Sequence, residues 1–145
     1  MSEVVVGGTT IGYHDTGAPA GVPGAQTVVF AHGLLFDSTM FEAQVEVLRG
    51  RYRCVAFDWR GQGISPPTVD GYDIETLTRD ALGLLRALDI GPVHWVGLSM
   101  GGFVGCASAP ATARCFCPSL CWTPAPAPKR PAQSGSTNDW RGRSN

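Results

Sequence analysis

The apolar run from Val93 to Leu98 ends in Gly97-Leu98-Ser99-Met100-Gly101-Gly102. After a strand, with a helix expected next, this spacing is that of an elbow, a turn so tight that strand and helix nearly touch and the flanking positions must lack side chains. The residue at the apex, Ser99, must then hold a strained backbone. In return its hydroxyl stands exposed at the carboxyl end of a sheet, beside a helix N-terminus that favours developing negative charge. A Gly-rich strand-to-helix turn can also cradle phosphate. The dinucleotide fingerprint, however, needs G-x-G-x-x-G, which is absent here.

Upstream, strands and helices alternate. Residues 3–6 and 9–14 are β-rich runs around Gly7-Gly8, as in a hairpin. After a loop rich in Gly, Ala and Pro, Thr27 to Ala31 is an uncharged, β-branched run of the kind found in buried parallel strands. It meets His32-Gly33 and then a helical pattern with Phe41, Val45 and Leu48 on one face, capped by Asp37 or Ser38 and ended by Gly50. A further strand spans Arg53 to Phe57, followed by the irregular loop Asp58-Trp59-Arg60-Gly61-Gln62-Gly63-Ile64-Ser65-Pro66-Pro67. Asp73 opens an amphipathic helix whose apolar face is Ile74, Leu77, Ala81, Leu84, Leu85 and Leu88, with Gly91-Pro92 as its stop. Three strand-to-helix crossovers predict an α/β fold, a mainly parallel sheet with helices on both faces.

Three motifs now agree. His32-Gly33 follows the third strand, Asp58-x-Arg60-Gly61-x-Gly63-x-Ser65 the fourth, and Gly97-x-Ser99-x-Gly101-Gly102 the fifth. Together they resemble the α/β-hydrolase family over residues 1 to about 105, and most of all its esterase, enol-lactonase and cofactor-free haloperoxidase branch. The dehalogenase and epoxide-hydrolase branches place Asp where this chain has Ser99. The resemblance implies a serine hydrolase acting on an ester, lactone or similar small acyl substrate through an acyl-enzyme at Ser99. Backbone N–H groups of Leu34 and Met100 would form the oxyanion hole, and Gly33, Gly97 and Gly101 would shape the loop and the elbow. No metal and no organic cofactor is implied.

Other polar residues have plainer expectations. His32 is read as a loop-shaping residue rather than the general base, because a base must reach the serine with a third group orienting it. Asp58 is expected to fix its loop through hydrogen bonds with Arg60 and nearby amides. His94 reads as a satisfied core or sheet-edge histidine, and His14 as exposed. In this fold acid and histidine follow the nucleophile in the chain. Here no His follows Ser99, and Asp139 is the only acid after it, so these residues alone do not complete a triad.

Composition explains why. Residues 1–105 carry six Arg against eleven Asp and Glu, one Cys and 26 Val, Ile or Leu. Residues 106–145 carry five Lys and Arg against one acid, four Cys, six Pro and the single Leu120. The formal net charge of -1 over 145 residues therefore sums a strongly acidic and a strongly basic part. It offers no electrostatic case for nucleic acid or anionic lipid. No run approaches about 18 apolar residues and no basic-then-apolar leader opens the chain, so neither a membrane span nor secretion is expected, and the location is read as cytoplasmic.

Cys106, Cys115, Cys117 and Cys121 lack the paired C-x-x-C spacing of common zinc sites. The genetic code offers another account. Cys codons begin T-G, so a frame one base earlier turns each Cys into a residue whose codon ends in T-G, and Cys121-Trp122-Thr123 becomes Leu-Asp at the end of an apolar run. Residues 106–145 are accordingly expected to be a non-homologous, off-frame, disordered extension of a hydrolase truncated after the elbow. Pro110 and Pro118 are expected to limit the helix after Ser99 to about two turns, ending near Ala109.

Overall fold

The computed structural model describes residues 1–112. The chain opens with an antiparallel hairpin, β1 (Ser2–Val6) and β2 (Thr9–Asp15). Its turn works because Gly7 and Gly8 both sit at positive φ, 55° and 83°, the geometry of a two-residue hairpin loop. Then come β3 (Thr27–Ala31), a 3-10 turn (Ser38–Phe41) running into α1 (Glu42–Leu48), β4 (Arg53–Phe57), α2 (Ile74–Ala87), β5 (Val93–Gly97) and α3 (Met100–Thr112).

The sheet order is β1-β2-β4-β3-β5. β2 pairs antiparallel with β4, whereas β3 pairs parallel with both β4 and β5. Side chains alternate across the sheet, so each central strand feeds two cores. Val29, Ala31, Val55, Phe57 and Trp95 face α2 and α3, where Leu77, Ala81, Leu84, Leu85 and Val104 cover them. Val28, Phe30, Cys54 and Ala56 face the opposite way, against Phe41 and Val45. The expected α/β sheet with helices on both faces is therefore present. Thr27–Ala31 is buried at every position, as its unbroken apolar run requires.

Three local expectations need correction. Ile74, placed on the buried face of α2, is 40% exposed, and Asp80 is buried instead. Ile74 is the first residue of the helix, while Asp80 is drawn in by an ion pair described below. The helix stop is also different: Asp89, not Gly91, takes the left-handed conformation at φ 50°. Asp tolerates that region better than most residues, and the amide after it, Ile90 N–H, closes back on the Leu85 carbonyl at 2.9 Å. Finally, α3 extends through Pro110 to Thr112. A proline near a helix C-terminus removes one ladder hydrogen bond with little helix left to disrupt. The expectation of a disordered tail falls on residues 113–145, outside the described residues.

Candidate active site

Ser99 stands where β5 turns into α3, exposed, with φ 48°. Its left-handed backbone follows from its neighbours. A Cβ on Gly97 would lie 2.6 Å from the Gly102 amide nitrogen, and one on Gly101 would meet the Ala31 and His32 carbonyls, the latter at 2.8 Å. Gly97 lets strand and helix touch, and Gly101 lets the helix press on the end of β3. Gly105, one turn further on, sits against the Trp95 indole in the same way. The indole Nε1–H donates to the Gly101 carbonyl at 2.9 Å, tying the base of the turn to the core. Phe103 N–H bonds to the Ser99 carbonyl at 3.0 Å, so the helix begins immediately after the serine.

The end of β3 is locked to this turn. Leu98 N–H donates to the Ala31 carbonyl at 3.0 Å, and a Cβ on Gly33 would rest 3.4 Å from the Leu98 carbonyl oxygen. Leu34 is thus one residue beyond a direct contact with the elbow. Among the described residues no hydrogen bond takes up the Leu34 amide or the Met100 amide, the first of α3. Leu34 and Met100 thus lie on the two segments that meet at Ser99. Leu34, Leu35 and Phe36, and Phe103 on α3, are exposed apolar residues.

His32 is fully buried, and both ring nitrogens are engaged. Trp59 N–H donates to Nε2 at 3.3 Å, so Nδ1 carries the proton and bonds the Gly33 carbonyl at 2.7 Å. Burial holds its pKa below the usual histidine value, outweighing the Gly33 carbonyl and the Asp58 carboxylate 3.9 Å away. A neutral, enclosed imidazole with no free nitrogen shapes the loop and does not serve as a base. His94 pairs with Gln26 Oε1 at 2.9 Å on the β5 edge of the described sheet, and His14 is exposed, both as expected.

Asp58 does fix its loop, but not through Arg60. Its carboxylate accepts the Ser38 amide at 2.7 Å and the Ile64 amide at 2.9 Å. Arg60 turns away to Asp80 on α2, with Nε–Oδ2 at 2.6 Å and Nη2–Oδ1 at 2.7 Å. Two residues apart in a loop, the Asp58 and Arg60 side chains diverge, and a carboxylate on a passing helix is the better partner. Ser65 completes the motif: its hydroxyl donates to the Asp58 carbonyl at 2.8 Å and accepts the Gly12 amide at 2.9 Å. Among the described residues no three His, Cys, Asp or Glu side chains are gathered into a metal site, and no helix is long and apolar enough to cross a membrane.

Residues 28–143 match the profile of the alpha/beta hydrolase family. The chain belongs to the α/β-hydrolase family. Its relatives include the 3-oxoadipate enol-lactonase 1 of Acinetobacter baylyi, 38% identical over 82 residues, which are 57% of this chain and 30% of that protein. The non-heme chloroperoxidase CPO-A1 of Kitasatospora aureofaciens is 38% identical over 96 residues, 66% of this chain and 33% of that one. Among solved structures, the enol-lactonase from Burkholderia xenovorans LB400 superposes with a TM-score of 0.70 at 35% identity, covering 77% of this chain and 42% of that one. The chain thus spans about a third of the length of the curated relatives it matches.

The exposure of Leu34, Leu35 and Phe36 and one further residue, Gln62, were not foreseen from the sequence. Exposed leucines carry no distinguishing pattern in a sequence, and Gln62 lies 27 positions from the amide it bonds.

Proposed function

We propose that the chain carries the nucleophile and oxyanion-binding part of a serine hydrolase acting on an ester, lactone or similar small acyl substrate. Ser99 Oγ bonds to the acyl carbon as a base takes its proton, and the amides of Leu34 and Met100 receive the negative charge on the carbonyl oxygen. Each such donor is worth roughly 3 kcal/mol in the transition state. The C–O bond to the leaving alcohol then breaks, the alcohol oxygen takes up a proton, and water releases the acid from Ser99. The observation that carries this reading is Ser99 itself: an exposed hydroxyl at φ 48° on a turn that the flanking glycines make sterically possible. The enol-lactonase relatives support acyl chemistry on a small-molecule substrate; a cytoplasmic location, with neither nucleic acid nor membrane as partner, belongs to the same proposal.

A second reading is that these 145 residues fold but do not turn over. It is favoured by the absence of any His after Ser99, with Asp139 the only acid there. We attach to it the off-frame origin of residues 106–145, for which the changes in charge, Cys and Leu content speak; the family match itself draws no boundary at 105. Hydrolysis of a nitrophenyl ester by the purified chain beside its Ser99→Ala variant separates the readings. Serine-dependent turnover sinks the inactive one, and equal rates sink the active one. Sequencing the gene tests the frame: if no one-base shift near the Gly105 codon opens a long hydrolase-like frame, the off-frame origin is wrong.

A further inference from the structure

The loop between β3 and α1 exposes three consecutive apolar residues, Leu34, Leu35 and Phe36. Core packing therefore does not dictate their backbone. Yet Leu35 holds φ 66°, a left-handed conformation in which Cβ crowds the following carbonyl. Two hydrogen bonds keep it there. Phe36 N–H closes the turn on the Gly33 carbonyl at a long 3.3 Å, and Leu35 N–H donates to Gln62 Oε1 at 2.9 Å. The shorter bond has its acceptor on a different loop.

Gln62 is itself held from within that other loop. Its N–H bonds the Trp59 carbonyl at 2.9 Å and its carbonyl accepts the Ser65 amide at 3.0 Å. Trp59 and Ser65 are both buried, and the Asp58 carboxylate ties the Ile64 amide, two residues after Gln62, at 2.9 Å. A loop anchored in the core thus reaches across to steady an exposed one.

We infer that Gln62 is a positioning residue: its side-chain carbonyl holds the strained Leu35 turn, and so keeps the preceding Leu34 amide in place beside Ser99. This rests on the role proposed above for that amide. An oxyanion donor works only when aimed at the site where charge develops. A relaxed turn therefore weakens transition-state stabilisation more than ground-state binding.

The test uses the whole chain, its Gln62→Ala variant, and Gln62→Glu, which keeps an acceptor at the same reach. Hydrogen exchange of the Leu35 amide is followed by NMR, and kcat and KM for a nitrophenyl ester are measured beside Ser99→Ala. Leu35 should exchange about tenfold faster in Gln62→Ala and near the parent rate in Gln62→Glu. The Ser99-dependent kcat should fall at least about tenfold in Gln62→Ala, with KM within about twofold, and recover in Gln62→Glu. Unchanged exchange, unchanged kcat, or a Glu variant no better than Ala overturns the inference. If parent and Ser99→Ala rates are equal, the proposed activity of this chain fails and the positioning role falls with it. The exchange arm still reports whether the Gln62 bond exists, so the two failures are distinct.

Discussion

Arg60 lays the edge of its guanidinium along the Asp80 carboxylate, two bonds of 2.6 and 2.7 Å between side chains only 8% and 4% exposed. This pair joins the loop after β4 to the middle of α2, and thereby fixes the base on which Gln62 stands. Removing one partner leaves the other charge buried and unpaired. Asp80→Ala should therefore cost about 3–5 kcal/mol, read as a drop in the urea midpoint at constant slope. A loss below about 1 kcal/mol would show that water replaces the carboxylate.

His32 makes stability depend on pH. Burial disfavours its charged form, so its pKa in the fold lies below 6.5. On acidification the unfolded chain binds the proton first. The contribution is present above about pH 6.5 and is lost as pH falls toward the lower folded value. Asp15 acts in a separate window. Burial raises its pKa, but the Arg53 hydrogen bonds and the Gly17 amide outweigh that and hold it below 3.8, so its contribution goes only in stronger acid. The denaturation midpoint should already fall between about pH 7 and pH 5. A flat profile there, ending in a drop only at carboxylate pH, would contradict the neutral His32.

Ser99 should be stabilising to lose in one way and not in another. Glycine adopts φ 48° without strain, whereas alanine does not relieve it. Ser99→Gly should be more stable than Ser99→Ala by about 1 kcal/mol, with both removing any serine-dependent hydrolysis. Equal melting temperatures would mean that the turn stores no strain.

Gly63 is the loop's tightest position. It has φ 54°, and a Cβ there would collide with the Asp58 carboxylate. Gly63→Ala should destabilise the fold by about 2 kcal/mol or more, because it adds strain and displaces a buried acceptor of two amides. Gly17, also at positive φ but with nothing within 4 Å of its Cβ, is the control: Gly17→Ala carries the strain without the clash. Equal costs at the two glycines would refute the role assigned to Asp58.

Much of this was legible because the governing interactions are local. The Gly7-Gly8 turn, the Asp73 cap that accepts the Thr76 amide at 2.9 Å, and the Gly97–Gly101 elbow each depend on residues a few positions apart. Sterics and periodicity within such windows leave few alternatives. Asp58 was read correctly as a loop anchor for the same reason, since Ile64 lies in its own loop.

What the sequence by itself determined is the order of strands and helices, the strained serine turn and the family to which the chain belongs. Only the tertiary structure decided that Arg60 would choose Asp80, that His32 would be enclosed by Trp59, and that Gln62 would hold Leu35. Those partners lie 20 to 27 residues apart. Hydrogen bonds are short and directional, so such pairs exist only once the parallel sheet has brought the ends of β3, β4 and β5 together.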